Sequence, residues 1–307
     1  EAAKRLRQKG LDVQFLCFNK ALRDHLKALL ARDEAQYGDG ALEVTSFSAL
    51  NAVAFYRLGH SRIPVPGQDG EKTAFWNEDA PSALSEAIEK NLMPRFDVIV
   101  VDEAQDFAAD WWQILEGMLK DDNGRIIAFC DPAQEIFGRG DALPAWPTFE
   151  LTFNFRNTVE IARVLNRLGH TQMVTYDSSP QGEPPVVFRQ EETGKTLQDL
   201  AELVKRLVRD EKVQPDQIAI LTPHRREHSI LASVSDIAGI SISPEPSDRQ
   251  GRLLHATIGG FKGLESDVLI LLDIDPQDPR CSRNARYVAA SRARHRLFVF
   301  AKGDWLA

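Results

Sequence analysis

Phe96-Asp-Val-Ile-Val-Val-Asp-Glu-Ala-Gln-Asp106 is the stretch on which the fold turns. Val98–Val101 is a continuous aliphatic run, the signature of a strand buried on both faces of a parallel sheet. It delivers two adjacent carboxylates, Asp102 and Glu103, at its carboxyl end. In open α/β sheets, ligands bind at that edge. Paired carboxylates there suit phosphoryl chemistry, in which one holds Mg²⁺, directly or through water, and the next polarises the attacking water. A solvated acidic turn ends many strands, so a bare Asp-Glu would mean little. The full Asp-Glu-Ala-Gln-Asp string favours a site.

A second strand ends the same way, in Arg125-Ile-Ile-Ala-Phe-Cys-Asp-Pro-Ala-Gln-Glu-Ile-Phe137. Asp131 and Gln134 fall just past its end, where an amide can sense a terminal phosphate or its water. The plainer alternative is an Asp-Pro turn with an incidental glutamine. Further apolar runs lie at 13–18, 44–46, 186–188, 218–221, 253–256, 268–272 and 297–300, with helical periodicity between them. Helices are expected at 2–9, stopped by Gly10, at 82–91 behind Pro81, and at 197–208. The pattern is α/β.

Length and composition agree. At about 150 residues per domain, 307 residues suggest two domains. The two prolines of Leu143-Pro-Ala-Trp-Pro-Thr-Phe149 place the boundary, giving domains 1–147 and 148–307. Segment 56–80, with three prolines or glycines between Pro64 and Gly67 and another at Gly70, reads as an irregular insertion on the first. Apolar residues at 43% and charged residues at 27% exclude a disordered tail, a collagen-like repeat and a small disulfide scaffold. No apolar run is long enough to cross a bilayer, so no membrane is expected as a partner. The N-terminus lacks an apolar secretory stretch, and Cys17, Cys130 and Cys281 are too scattered for a metal site or disulfide framework. A cytoplasmic setting is expected.

The net charge of −8 argues against a protein built to coat nucleic acid. Residues 280–302 nevertheless contain six arginines and no acidic residue: Arg280, Arg283, Arg286, Arg292, Arg294 and Arg296. Two readings stand, a solvated face or a set aimed at phosphates.

In the order of its motifs, the chain resembles superfamily 1 helicases of the UvrD/Rep type. Asp102-Glu-Ala-Gln-Asp106 and Asp131-Pro-Ala-Gln134 look like motifs II and III. Leu16-Cys-Phe-Asn-Lys-Ala-Leu22 resembles motif Ia, and Thr45-Ser-Phe47 the short DNA-contacting motif after it. Leu151-Thr-Phe-Asn-Phe-Arg-Asn157 is similar to motif IV. Thr257-Ile-Gly-Gly-Phe-Lys-Gly-Leu-Glu265, followed by Asp267, resembles motif V, and Tyr287-Val-Ala-Ala-Ser-Arg-Ala-Arg294 resembles motif VI.

The resemblance implies two RecA-like parallel-sheet domains of the P-loop NTPase type and an ATP-dependent DNA helicase or single-strand translocase using ATP and Mg²⁺. It implies that Asp102 holds the metal, Glu103 orients the attacking water, Gln134 contacts the γ-phosphate, and Arg156 and Arg292 act as arginine fingers. A planar, permanently charged guanidinium suits that last task. Glu265 would bind the nucleotide ribose, and Gly263 would permit close backbone approach. Single-stranded or partly duplex DNA would meet Asn19, Lys20, Thr45, Phe47 and Phe137. Turn closure is the alternative for Asn19 and Lys20, and strand-end packing for Thr45 and Phe47. Trp111 and Trp112 read as core and surface packing.

The departures from the family pattern carry expectations too. The phosphate-binding loop that precedes motif Ia in the family is not found, so the first domain is expected to be truncated at its N-terminus. This chain alone is expected to be inactive, with a further N-terminal domain expected as a candidate before it. Gly194-Lys-Thr196 lies outside the motif order and behind Arg189, where a glycine is required. Gly259 stands where the family usually has histidine, and only about 30 residues occupy the place of the family's large second-domain insertion. An alternative reading is a degenerate helicase fold that clamps nucleic acid without turnover. A DEAD-box RNA helicase fits motifs II and VI poorly, and an unrelated Mg²⁺ phosphohydrolase leaves Arg156 and Arg292 unexplained.

Overall fold

The computed structural model describes residues 1–33, 40–67, 69–136 and 143–307. The chain divides into two compact units. Unit 1 comprises Glu1–Pro132 and Phe137–Trp146, and unit 2 comprises Ala133–Ile136 and Pro147–Ala307. The tetrapeptide Ala133–Ile136 thus packs with unit 2 although the chain that leads into it belongs to unit 1.

Unit 1 is built from α1 (Ala2–Gln8), β1 (Val13–Cys17), α2 (Lys20–Asp33), β2 (Leu42–Ser46), α3 (Phe47–Arg57), α4 (Asp69–Ala74), α5 (Ala80–Glu89), β3 (Val98–Val101), α6 (Ala109–Glu116) and β4 (Arg125–Ala128). Its four strands are all parallel, in the order β2-β1-β3-β4. All four residues of β3 are buried, and successive side chains serve opposite faces. Ile99 and Val101 join Phe47, Leu84, Phe107, Trp111 and Trp112 under α3, α5 and α6. Val98 and Val100 join Val13 and Ala3 under α1. Each such side chain contributes about 1.5–3 kcal/mol by leaving water. Trp111 and Trp112 are both buried, so the surface role foreseen for one of them is corrected: both belong to the core.

The expected insertion is irregular only in part. Residues 69–74 form α4, and a single π-turn at Phe75–Asp79 carries the chain directly into α5, where Pro81 occupies the first turn. Phe75 anchors this stretch by stacking on Phe55 at 5.7 Å between ring centroids.

Unit 2 contains β5 (Phe153–Asn154), α7 (Val159–Gly169), β6 (Val174–Thr175), β7 (Val186–Arg189), α8 (Thr193–Lys205), β8 (Ile218–Thr222), β9 (Asp236–Ile237), β10 (Ile240–Ser243), β11 (Leu253–Thr257), β12 (Ser266–Ile274), α9 (Arg283–Ser291) and β13 (Ala293–Ala301). Its main sheet has the order β7-β13-β12-β8-β11-β10-β9, parallel except for the β9–β10 pair. Leu200, Leu203 and Val204 of α8 cover one face through Ile220, Ile270 and Phe298. Helix α9 packs on β12 and β13, and α7 packs on α9.

The short segment between β8 and β11 adds a hairpin to the sheet edge. Its turn, Ala238-Gly239, has positive φ at both residues (55° and 81°), the geometry of a tight turn that matches strand twist. No helix among the described residues is long and apolar enough to cross a membrane.

Candidate functional site

In unit 1 the carboxyl edge of the sheet gathers the polar groups. Strand β3 ends at Asp102, whose backbone N–H donates to Leu16 O of β1 at 2.8 Å. Phe129, just past β4, donates to Val101 O at 2.8 Å, and Ala104 donates to Phe129 O at 2.9 Å. The strand ends are thereby locked together. Glu103 sits in the left-handed region at φ 53°, ψ 46°, a conformation that a non-glycine residue holds only when its surroundings impose it.

Gln105 supplies part of that constraint. Its Nε2 donates to Glu103 Oε2 at 2.7 Å, and its Oε1 accepts from the backbone N–H of Asp131 at 3.1 Å. Buried and bidentate, it joins the end of β3 to the end of β4. The sequence reading quoted Gln105 without assigning it a role; its place in the Asp-Glu-Ala-Gln-Asp string was the available signal.

Asp102 and Glu103 fit a hard cation that keeps most of its water, since Mg²⁺ is commonly held by one or two carboxylates plus substrate phosphates. Among the described residues no cluster of three or more His, Cys, Asp or Glu forms an all-protein metal cage, so that mode of binding is the one the donor set suits.

Asn19 and Lys20 follow β1 at the same edge, with Lys20 exposed and opening α2. Asn19 O accepts the first-turn N–H of Arg23 at 3.0 Å, so this residue also closes the turn. Thr45, next along at the end of β2, is nearly covered. Phe47, at the start of α3, has a ring that is 2% exposed and stacks on Trp111 at 4.2 Å, the arrangement of the packing alternative. Phe137 lies outside the described residues.

In unit 2 the arginines gather at the opposite, amino edge. Arg292 stands between the end of α9 and the start of β13, and Glu265 immediately precedes β12. Arg156 lies on the turn between β5 and α7, and its Nε pairs with Glu265 Oε2 at 3.1 Å. Arg294 approaches the same carboxylate at 3.5 Å and pairs with Asp267 at 3.0 Å. Arg292 is almost wholly buried; its Nε donates to Val288 O at 3.2 Å and its Nη2 donates to the side-chain oxygen of Gln134. Lys262 donates to Gln134 O at 2.9 Å, and Asn284 donates to Glu135 O at 2.9 Å. These three contacts clasp the tetrapeptide into unit 2. Gly263 has φ 82°, which requires glycine at that point of the crossing from β11 to β12.

The six-arginine run resolves into separate tasks. Arg283 donates to Arg167 O and Leu168 O at 2.8 and 2.9 Å, satisfying carbonyls at the end of α7. Arg286 holds the backbone at Trp305 and Ala307, and Arg296 pairs with Glu183 and Glu211. Of the run, Arg292 and Arg294 stand with Glu265 and Arg156. Gly194-Lys-Thr196 forms the first turn of α8, where Thr196 is buried and donates to Glu192 O at 2.8 Å.

A family model described as the viral superfamily 1 RNA helicase core domain matches residues 73–301, most of the chain. Among solved structures, the C-terminal domain of a possible DNA helicase from Lactobacillus plantarum is similar over 50% of this chain and 92% of that one. That pair shares 20% identity, with a TM-score of 0.37. Arterivirus nonstructural protein 10, a helicase, is similar over 96% of this chain at 12% identity and a TM-score of 0.45. The chain corresponds to 54% of that protein's length. No curated protein matches.

Proposed function

We propose that this chain, which belongs to the family described as the viral superfamily 1 RNA helicase core domain, is the motor portion of an ATP-dependent translocase of the UvrD/Rep type acting on single-stranded DNA, a reading that rests on the order of its motifs. The observation that carries the reading is the Asp102–Glu103 pair at the end of a buried parallel strand, with Gln105 binding Glu103 to the next strand. Mg²⁺, when bound with the nucleotide, neutralises phosphate charge.

Asp102 then serves as the metal-holding carboxylate, and Glu103 orients and deprotonates the attacking water. Arg156 and Arg292 stabilise charge developing on the transferred phosphoryl group, with Gln134 sensing its terminal oxygens. Glu265 exchanges its arginine partners for the ribose hydroxyls. Asn19, Lys20 and Thr45 line the edge that receives the strand, whose phosphate contacts make binding sequence-independent and salt-sensitive. Arginine contacts to the nucleotide, made before hydrolysis and lost after it, convert phosphate chemistry into stepping.

The choice of DNA is tested by titrating the full-length gene product that contains these residues with matched single-stranded DNA and RNA. Expected is stronger stimulation of ATP hydrolysis by DNA at equal salt. Stimulation by RNA alone would reassign the substrate.

A further inference from the structure

The turn that carries Arg156 is built by two buried asparagines that grip each other. Asn154 Oδ1 accepts from the backbone N–H groups of Arg156 and Asn157, each at 3.1 Å, while its Nδ2 donates to Asn157 Oδ1 at 2.9 Å. Asn157 spends its own amide group on a different segment. Its Nδ2 donates to the carbonyls of Ser291 and Ala293, at 3.2 and 2.5 Å. Those carbonyls flank Arg292 on both sides.

An asparagine amide has two donor hydrogens and one acceptor oxygen, and Asn157 commits all three. Two neighbouring backbone bonds run in parallel: Thr158 N–H donates to Arg294 O at 3.3 Å, and Ser266 N–H donates to Arg292 O at 3.0 Å. The Arg292 Nε donates to Val288 O of α9, so the guanidinium is held beside the same backbone segment that Asn157 bonds. One buried side chain thus bridges the turn that carries Arg156 and the backbone that carries Arg292.

We propose that Asn157, braced by Asn154, is a positioning residue that holds Arg156 and Arg292 in fixed relation, so that the two guanidiniums reach the transferring phosphoryl group as a unit. This rests on the phosphate-directed reading of the two arginines. Neither asparagine touches the nucleotide; each acts through the arginine it places. A displacement of about 1 Å in such a group is enough to cost on the order of 100-fold in rate.

The test is steady-state ATP hydrolysis by the full-length gene product at saturating single strand, with Asn157→Ala, Asn154→Ala, Arg292→Ala and the Asn157→Ala/Arg292→Ala pair. Expected for Asn157→Ala is a fall in kcat of about 30-fold or more with KM held within about 3-fold. In the Arg292→Ala background the same change should add less than about 3-fold, because residues that act as a unit are not additive. Asn154→Ala, which loosens the Arg156 turn and leaves the carbonyls beside Arg292 bonded, should cost less than Asn157→Ala. Equal losses in both backgrounds, or wild-type kcat in Asn157→Ala, would overturn the proposal.

Where Asn157→Ala does not fold or Arg292→Ala falls below detection, Asn157→Ser keeps one donor and binding replaces turnover as the readout. Its affinity for Mg-ADP with aluminium fluoride should drop about 10-fold relative to wild type while its affinity for ADP alone stays within about 2-fold. An unchanged ratio overturns the proposal. A wild-type protein that neither turns over ATP nor prefers the fluoroaluminate complex overturns the nucleotide reading itself, and the positioning role with it.

Discussion

Gln105 donates to the carboxylate of Glu103 at 2.7 Å. Its other end accepts the N–H of Asp131, so the carboxylate at the end of β3 is indexed to the end of β4 by one buried amide. Glu103 is also left-handed, and strain of that kind costs of order 1–3 kcal/mol unless the surroundings hold it. The aim of Glu103 is thus set by the sheet rather than by its own rotamer preference.

With Glu103 as the proposed base, Gln105→Ala should reduce kcat by about 10- to 100-fold with little change in KM, since the carboxylate remains but is no longer aimed. Gln105→Glu places a second carboxylate against the first. A like charge raises a carboxyl pKa, so the acidic limb of the pH–rate profile should move to higher pH. Unchanged kinetics in both variants would show that Gln105 is only a packing residue.

The buried ring of Phe47 separates two roles that sequence alone left open. Phe47→Ala should destabilise the protein by about 3–5 kcal/mol in urea unfolding, as large-to-small core changes do. Affinity of the folded variant for a single strand should stay within about 2-fold, because a ring that does not stack on bases contributes no stacking energy. Weakened binding without lost stability would return Phe47 to the nucleic-acid surface.

The parallel strands were legible because buried strands are written as aliphatic runs. The runs at 13–18, 218–221 and 253–256 appear as β1, β8 and β11 within a residue or two at each end. The two-residue strands β5 and β6 and the β9–β10 hairpin were not, being too short for a period to show. Helix α7 carries a readable apolar spacing at Ile161, Leu165 and Leu168 that went unassigned behind motif IV. In the candidate site, the order of motifs singles out Asp102, Glu103, Arg156 and Arg292. The residues that place them, Gln105, Asn154 and Asn157, act by pairing across the chain, and Asn157 reaches 134 and 136 positions away. Local sequence does not record such partners.

His255, buried in β11, pairs through Nε2 with Thr222 Oγ1 at 2.9 Å, and that hydroxyl donates onward to His224 O at 2.7 Å. With the hydroxyl hydrogen so used, Nε2 is the donor. Burial chiefly, with Arg226 nearby, pushes its pKa from 6.5 down to about 4. Between those values the unfolded chain binds a proton that the folded chain does not, so stability should fall on acidification from pH 6.5 towards 4. The total is about 3 kcal/mol. His255→Gln should flatten that part of the profile in urea midpoints taken from pH 7.5 to 4.5; an identical slope in the variant would place the effect elsewhere.

All three cysteines are free, but they differ in access. Burial raises all three thiols, Cys17 to about 12 and Cys281 to about 11, and Asp131 adds to the rise at Cys130, but Cys130 is the one exposed to solvent. A thiol reagent at pH 8 should therefore modify Cys130 alone in the native protein and all three in denaturant. Fast native labelling of Cys17 would mean that the end of β1 opens readily.

The most direct measurement is ATP hydrolysis by the full-length gene product containing these residues, with and without single-stranded DNA, beside its Glu103→Gln variant. Expected is turnover that the strand stimulates and that falls at least about 100-fold in Glu103→Gln, with nucleotide and strand binding retained. Turnover that is absent in the wild-type protein, or indifferent to Glu103→Gln, would contradict the motor reading and leave a helicase fold that binds nucleic acid without hydrolysis.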